Sequence, residues 1–253
     1  MHKRALASKM GAITERRHWR AFANSFAVTS PPVEHLLDYV LRRQDGYPKH
    51  VSLATPIGTV EATMFLPDDR LTVNEIFCRL DYEVSPGIRT AVDFGSNVGI
   101  SALYFLSRNP EVKVWLYEPN PANVTKLTEQ VAPYADRVVL NPVGVAAEDG
   151  TLEFGFEPTG RYGGAGLDFP EKVQLDVHSA ERVLSEIIAE RGRIDVLKVD
   201  IESLEEEILL SLSKETASKI ELLLVEGEFT PGLLDETHTP TVYGPITRFE
   251  RRT

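Results

Sequence analysis

The sequence predicts an α/β protein in which a mostly parallel sheet carries helices on both faces, preceded by an N-terminal lid or subdomain. Three observations point there. From Thr90 onward, short apolar runs alternate with stretches of helical periodicity. A glycine turn, Gly95-Ser96-Asn97-Val98-Gly99, joins the first run to the first helical stretch. Charged residues then interrupt the later runs at their carboxyl ends, where open parallel sheets bind ligands.

Residues 1–86 read as the lid and residues 87–253 as the sheet domain. Residues 1–47 look helical, broken at Pro31-Pro32 and stopped at Gly46-Tyr47-Pro48. Residues 51–66 alternate around Pro56 and Gly58, the pattern of a hairpin. Asn74–Tyr82 reads as a short helix. The lid holds too few periodic apolar residues for a separate core.

In the sheet domain, Ala91–Phe94 is the first strand, followed by a helix through Leu103 and Leu106. Lys113–Tyr117 is the second, and the helix after it carries Val124, Leu127 and Val131. Val138–Val145 is the third, Leu152–Phe156 an extra strand, and Gly160–Gly166 a glycine-rich loop. Ser179–Arg191 is a helix with Val183, Leu184, Ile187 and Ile188 on one side. Asp195–Glu202 is the fourth strand. Ser203 and Glu206 then give the capping-box signature of a helix start. Glu221–Phe229 is the fifth strand.

With 27 basic and 38 acidic residues the net charge is −11, which repels phosphate backbones and argues against a nucleic-acid partner. The first twenty residues are basic (Lys3, Arg4, Lys9, Arg16, Arg17 and Arg20 against Glu15) and read as a solvated amphipathic helix rather than a transit peptide. No apolar run approaches the roughly 20 residues that span a bilayer. One cysteine, Cys78, excludes an intrachain disulfide and points to a reducing compartment, the cytoplasm. Oligomeric state is not legible.

The glycine turn lets a backbone approach a ligand without Cβ strain. Its spacing is G-x-x-x-G, not the G-x-G-x-x-G that seats a pyrophosphate on a helix N-terminus. An acid, Asp93, precedes it, and Glu118 ends the second strand, where a carboxylate accepts ribose hydroxyls. Carboxylates here repel a dinucleotide and suit a ligand with an ammonium and a sulfonium, S-adenosylmethionine.

Asp93–Gly99, Tyr117-Glu118-Pro119-Asn120-Pro121 with Asn123 and Leu127, and Ile194–Glu202 together resemble the FkbM-type methyltransferase family. Leu71–Phe77 and Tyr82 add to the likeness, which spans roughly residues 56–229. Its most specific part is the strand Leu197-Lys198-Val199-Asp200-Ile201-Glu202. The resemblance implies a Rossmann-like class I methyltransferase fold and S-adenosylmethionine as cofactor. It implies that Asp93, Gly95, Ser96, Asn97, Gly99, Glu118, Pro119 and Asn120 line the cofactor, with Gly144 against the adenine. It also implies a hydroxyl acceptor, often on a sugar or another natural-product scaffold. Two features depart from the family pattern. Ser203 stands where a glycine is usual, and Thr241–Phe249 offers one clear strand where the sheet should end in an antiparallel pair.

Methyl transfer is an in-line displacement, so the protein must align the acceptor and take up its proton. On the fourth strand Val196, Lys198, Asp200 and Glu202 share a face, with neighbours about 6.6 Å apart. A central parallel strand should be apolar on both faces, and three successive charges break that rule. Asp200 and Glu202 are the candidate base or substrate clamp, with Lys198 paired to Asp200 or Glu226. A structural ion-pair network is the alternative. His178, at a helix start, and Tyr162, in the glycine loop, are weaker candidates. His238 with Asp235, Glu236, Glu226 and Glu228 matches no metal spacing, so no metal is expected. Asn141-Pro142-Val143-Gly144 lacks the aromatic residue of amino-group methyltransferases on nucleic acid and follows the wrong strand.

The expected function is methylation of a small-molecule hydroxyl, on a sugar or glycosylated natural product. N-methylation of an amino sugar, or an inactive cofactor-binding partner protein, are the alternatives.

Overall fold

The computed structural model describes residues 16–41, 43–156, 163–165, 171–201 and 203–252. The chain divides into two compact units, Met1–Glu83 and Val84–Thr253.

The first unit contains helix α1 (Arg16–Val28), a short strand β1 (Thr29–Ser30) and helix α2 (Pro32–Leu41). A hairpin of β2 (Lys49–Thr55) and β3 (Gly58–Met64) follows, with β1 on its outer edge. The helical reading of residues 1–47 therefore needs an interruption, because Thr29 and Ser30 pair with Leu53 and Ser52. Residues 1–15 lie outside the described residues. The hairpin alternates as expected, burying Val51, Leu53, Val60, Ala62 and Met64. Helix α3 (Asp69–Val73) runs on into a π-helical turn, Asn74–Arg79, which ends at Leu80 in the left-handed region. Cys78 lies buried in that turn, and burial pushes its thiol up to about 11.

The second unit is built on a seven-stranded sheet. Its parallel strands are β4 (Thr90–Phe94), β5 (Lys113–Tyr117), β6 (Val138–Asn141), β11 (Val196–Val199) and β12 (Leu222–Glu226). Two further strands, β13 (His238–Tyr243) and β14 (Ile246–Arg251), form an antiparallel hairpin, and the spatial order is β13-β14-β12-β11-β4-β5-β6. Helix α4 (Ile100–Leu106) follows β4, and helix α5 (Pro121–Val131) follows β5. Order reverses at β4, which puts the switch point between β4 and β11. This is a Rossmann-like sheet, complete at the edge where the sequence offers one clear strand. Thr241–Phe249 holds the turn of a hairpin, Tyr243–Ile246, and Pro240 and Gly244 hid its two arms.

The third strand is also shorter than the sequence suggested. Pro142 ends β6, and Gly144–Ala146 leaves as β7 to join a second sheet, ordered β7-β10-β8-β9. That sheet contains β8 (Gly150–Phe156), β9 (Gly163–Ala165) and β10 (Glu171–Ser179). Strand β10 was missed, and His178 belongs to it rather than to a helix start. The helix, α6 (Ala180–Arg191), begins after Ser179, whose hydroxyl accepts the Arg182 N–H. Tyr162 and most of the glycine-rich loop lie outside the described residues.

Among the described residues, the sheet packs a large core against α6 and the helices that follow it. Val92 and Phe94 of β4, Leu197 and Val199 of β11, and Leu223 and Val225 of β12 meet Val183, Leu184 and Ile187 of α6 there. Residues of α7 (Glu205–Ser211), Ile208 and Leu209, complete it; α8 (Lys214–Ala217) follows. No helix among the described residues is long and apolar enough to cross a membrane.

Candidate active site

Beyond β4 the chain turns through Gly95-Ser96-Asn97-Val98-Gly99 into α4. Gly95 (φ 79°), Asn97 (φ 48°) and Gly99 (φ 92°) all adopt left-handed backbone. A Cβ on Gly95 would stand 1.8 Å from the Asp200 carbonyl oxygen, so nothing but glycine fits. At Gly99 a Cβ would meet Leu127 Cδ1 at 2.7 Å, so this glycine lets α4 and α5 pack closely. The turn is tied to the end of β5. The Gly95 and Ser96 amides both donate to the Tyr117 carbonyl at 3.0 Å. The Ser96 hydroxyl accepts the Tyr117 N–H at 3.2 Å and donates to the Asp93 carbonyl.

Glu118, just past β5, is buried. Its Oε2 accepts the Asn97 N–H at 2.8 Å and its Oε1 the Asn120 N–H at 2.9 Å. Asn123 Nδ2 reaches Oε1 at 3.5 Å. Burial pushes the carboxyl up to about 7, against the lowering effect of the Asn120 and Asn97 amides. Oε2, with one donor, keeps a lone pair for another. The Asn120 side chain caps α5 by accepting the Ala122 N–H at 3.0 Å, and Pro119, half-buried, links the two.

Across β4 and β11 lies an ion-pair cluster. Lys198 stands opposite Asp93 in the parallel register. Its Nζ lies 3.1 Å from Asp93 Oδ1 and 3.2 Å from Asp200 Oδ2, and it donates to the Gly95 carbonyl at 2.9 Å. Asp93 Oδ2 accepts the Ser101 hydroxyl at 2.6 Å. Burial favours the neutral lysine, but Asp200 and Asp93 outweigh it and hold the ammonium above its usual range. Lys198 is thus a fixed cation and not a proton acceptor.

These placements sort the expected site residues. Asp93 is fully buried and turned toward Lys198 and Ser101. Asp200 is the exposed end of the cluster, its side chain 28% accessible. It lies past the strand, since β11 ends at Val199 rather than at Glu202. Glu202 lies outside the described residues. Gly144 sits in the second sheet, where a Cβ would press on Val177 at 2.9 Å and Phe154 at 3.3 Å. Ser203 does not cap a helix: α7 starts after Leu204, and Ser203 has φ 78°. The Glu205 carboxylate instead accepts the Ile201 N–H. The sequence reading missed Ser101 and the Asp93–Lys198 pair. Aligning the two charged positions across adjacent parallel strands would have revealed that pair.

Two histidines lie apart from this chemistry. His238 is fully buried, with Nδ1 2.8 Å from the Thr237 hydroxyl and Nε2 3.0 Å from the Ile220 carbonyl. It serves the fold. His178 is partly buried in β10. No cluster of three His, Cys, Asp or Glu side chains suited to a metal occurs among the described residues.

A sheet of this order, with a glycine turn after its first strand and a buried acid after its second, defines an S-adenosylmethionine-dependent methyltransferase. The chain belongs to the FkbM family: residues 93–239, more than half of it, match the methyltransferase FkbM domain. Among curated relatives it is 25% identical over 191 residues to the AMB antimetabolite synthetase AmbE of Pseudomonas aeruginosa. That match covers 61% of this chain but only 9% of the synthetase. Methyltransferase 1 of Beauveria bassiana is 26% identical, with 60% of this chain and 70% of that protein covered. A putative rRNA methylase from Clostridium thermocellum superposes with a TM-score of 0.43 at 10% identity, over 72% of this chain and 94% of its own. A likeness that loose carries no argument about activity.

S-adenosylmethionine is the methyl donor. The Glu118 carboxylate suits it chemically, because burial has raised its energy and a ribose hydroxyl would supply the donor it lacks.

Proposed function

We propose that the chain methylates a hydroxyl of a small molecule, a sugar or glycosylated natural product. The observation that carries this reading is Asp200: a partly exposed carboxylate at the carboxyl end of β11, beside the switch point, whose neighbours Lys198 and Asp93 are both buried. An alcohol must lose a proton as it attacks, and a carboxylate here is the group that takes it. The family resemblance and a relative named as an antimetabolite synthetase support a natural-product acceptor.

The donor supplies a methyl carbon already activated by its sulfonium. In this reading the chain supplies position and charge. Glu118 accepts the ribose hydroxyls, and the backbone of Gly95, Ser96, Asn97 and Gly99, with Pro119 and Asn120, shapes the cofactor's seat. Gly144 lies against the adenine. Lys198 is a positioning residue that fixes Asp200 and the Gly95 carbonyl; Asp93 in turn fixes Lys198. Glu202 holds an acceptor hydroxyl, and residues 1–86 contribute to acceptor choice.

One observation favours the second reading, an amino-sugar acceptor. A carboxylate paired with a fixed ammonium at 3.2 Å is a weak base, and an amine needs little help losing its proton. The deciding experiment is a methylation assay on paired acceptors, sugars and their amino-sugar analogues, with the product linkage read by NMR. Exclusive methylation of nitrogen would overturn the hydroxyl reading. Binding of S-adenosylhomocysteine with no turnover on any acceptor would favour the inactive partner protein.

A further inference from the structure

The first unit contains a pocket of about 380 Å³, lined by residues other than those assigned to the cofactor or the proton transfer above. It lies between α2 and the start of the β2–β3 hairpin. His35, Asp38, Tyr47, Lys49, Met64 and Arg70 contribute to its wall. Its size falls at the lower end of small-molecule sites.

The polar groups around it are unusually placed. Arg70 is among the largest fully buried side chains of the protein. Its Nη1 donates to the Arg43 carbonyl and lies 3.4 Å from the Tyr47 hydroxyl. Its Nε has no hydrogen-bond partner, and no carboxylate among the described residues forms an ion pair with it. A buried guanidinium without an anion is costly, by several kcal/mol in a dry site. His35, one turn before Asp38 on α2, is also buried, and neither of its ring nitrogens has a partner. Burial, together with Arg70 and against Asp38, holds the imidazole below its usual range. A neutral ring offers one donor and one acceptor, both unused.

Asp38, the carboxylate among the described residues of the pocket wall, is already engaged. Asp38 receives Lys49 Nζ at 2.5 Å and Arg43 Nη1 at 3.3 Å. Burial opposes its ionisation, but those two cations outweigh burial and keep it charged. A doubly charged anion beside it would be repelled, whereas a single carboxylate would give Arg70 Nε the acceptor it lacks. Val51 and Met64 supply an apolar wall for the rest of such a ligand.

We propose that this pocket binds a small organic monocarboxylate, its charged end on the Nε edge of Arg70 with His35 beside it, and its apolar body against Val51 and Met64. The site is separate from the acceptor reading above and stands or falls without it.

The test is a titration of the whole chain, labelled at its methionine methyl groups, with hexanoate. Hexan-1-ol and inorganic phosphate serve as controls. The Met64 methyl resonance and the heat of binding are followed together. Hexanoate should bind saturably, shift Met64 and exceed both controls by at least tenfold. Arg70→Lys and His35→Gln should each weaken it about tenfold, the usual loss of a charge-assisted hydrogen bond. If Arg70→Lys fails to fold, the wild-type titration decides alone. Hexanol binding as tightly as hexanoate would make the pocket merely apolar, and tighter binding of phosphate would reassign its ligand. No Met64 shift at about 10 mM hexanoate, where even millimolar affinity saturates, would remove the site.

Discussion

The turn after β4 and the chain after β11 meet at the Asp200 carbonyl, yet they are built differently. Around Gly95–Gly99 the ties are made by backbone amides: Gly95 and Ser96 donate to the Tyr117 carbonyl, and Asn97, with Asn120, to the Glu118 carboxylate. After Val199 a partly exposed carboxylate hangs from a buried lysine, followed by a serine in a conformation that favours glycine. A site fixed by main chain tolerates little variation, which fits a ligand that never changes. A site carried by side chains can be retuned residue by residue.

Four substitutions would break or sharpen that contrast. The largest effect should come from Asp200→Asn, which keeps shape and removes charge. Turnover on a hydroxyl acceptor should fall by about 10²–10⁴-fold, the usual worth of a positioned base, with S-adenosylhomocysteine affinity within about threefold. Wild-type turnover in steady-state kinetics would end its role as base. Loss of cofactor affinity would instead move Asp200 to the cofactor side.

Gly95→Ala should act through backbone. The new Cβ overlaps the Asp200 carbonyl, and φ 79° strains any L side chain. Overpacking and strain together should cost about 2–5 kcal/mol in urea unfolding. A variant as stable as the wild type would mean that the two segments are less closely knit than described.

Glu118→Gln should weaken S-adenosylhomocysteine by about tenfold in calorimetry. It should also change the response to pH. The folded carboxyl titrates near 7 and the unfolded one near 4.5, so between these values the native state holds the extra proton. Native stability without ligand should therefore fall as pH rises through that window, and the Gln variant should lose this slope. Cofactor affinity should rise over the same range as the carboxylate forms. Identical pH profiles for wild type and variant would exclude Glu118 as the titrating group.

The smallest effect should come from Ser203→Gly, which removes the strain at φ 78° and stabilises the protein by about 1 kcal/mol. Destabilisation would mean that the hydroxyl's contacts outweigh the strain.

What the sequence made legible follows from the same contrast. Strands β4, β5 and β12 stood out because buried strands are continuous apolar runs, and the glycine turn and Glu118 fall at their ends. Glu171–Ser179 escaped notice because its alternation is diluted by charge, and β13–β14 because Pro240 interrupts the first arm and Gly244 stands in the turn between them. Ser203 and Glu206 matched a capping signature, yet the Glu205 carboxylate holds the Ile201 amide and the helix starts later. The Asp93–Lys198 contact depends on strand register, which no single strand encodes. The two partners of Lys198, Asp93 and Asp200, come from an adjacent strand and from the chain beyond its own strand.

The hairpin at the far edge has a consequence for assembly. Ile246–Arg251 pairs with Leu222–Glu226 on one side and His238–Tyr243 on the other, so an inner strand of the sheet is supplied after both its neighbours. On a ribosome, the five parallel strands emerge with β12 still presenting an open, apolar edge. That edge stays open until residue 251 clears the exit tunnel. A nascent chain of this protein is therefore open to strand-mediated association at that edge from the emergence of Leu222–Glu226 until Ile246–Arg251 follows it, and its protection arrives in one step.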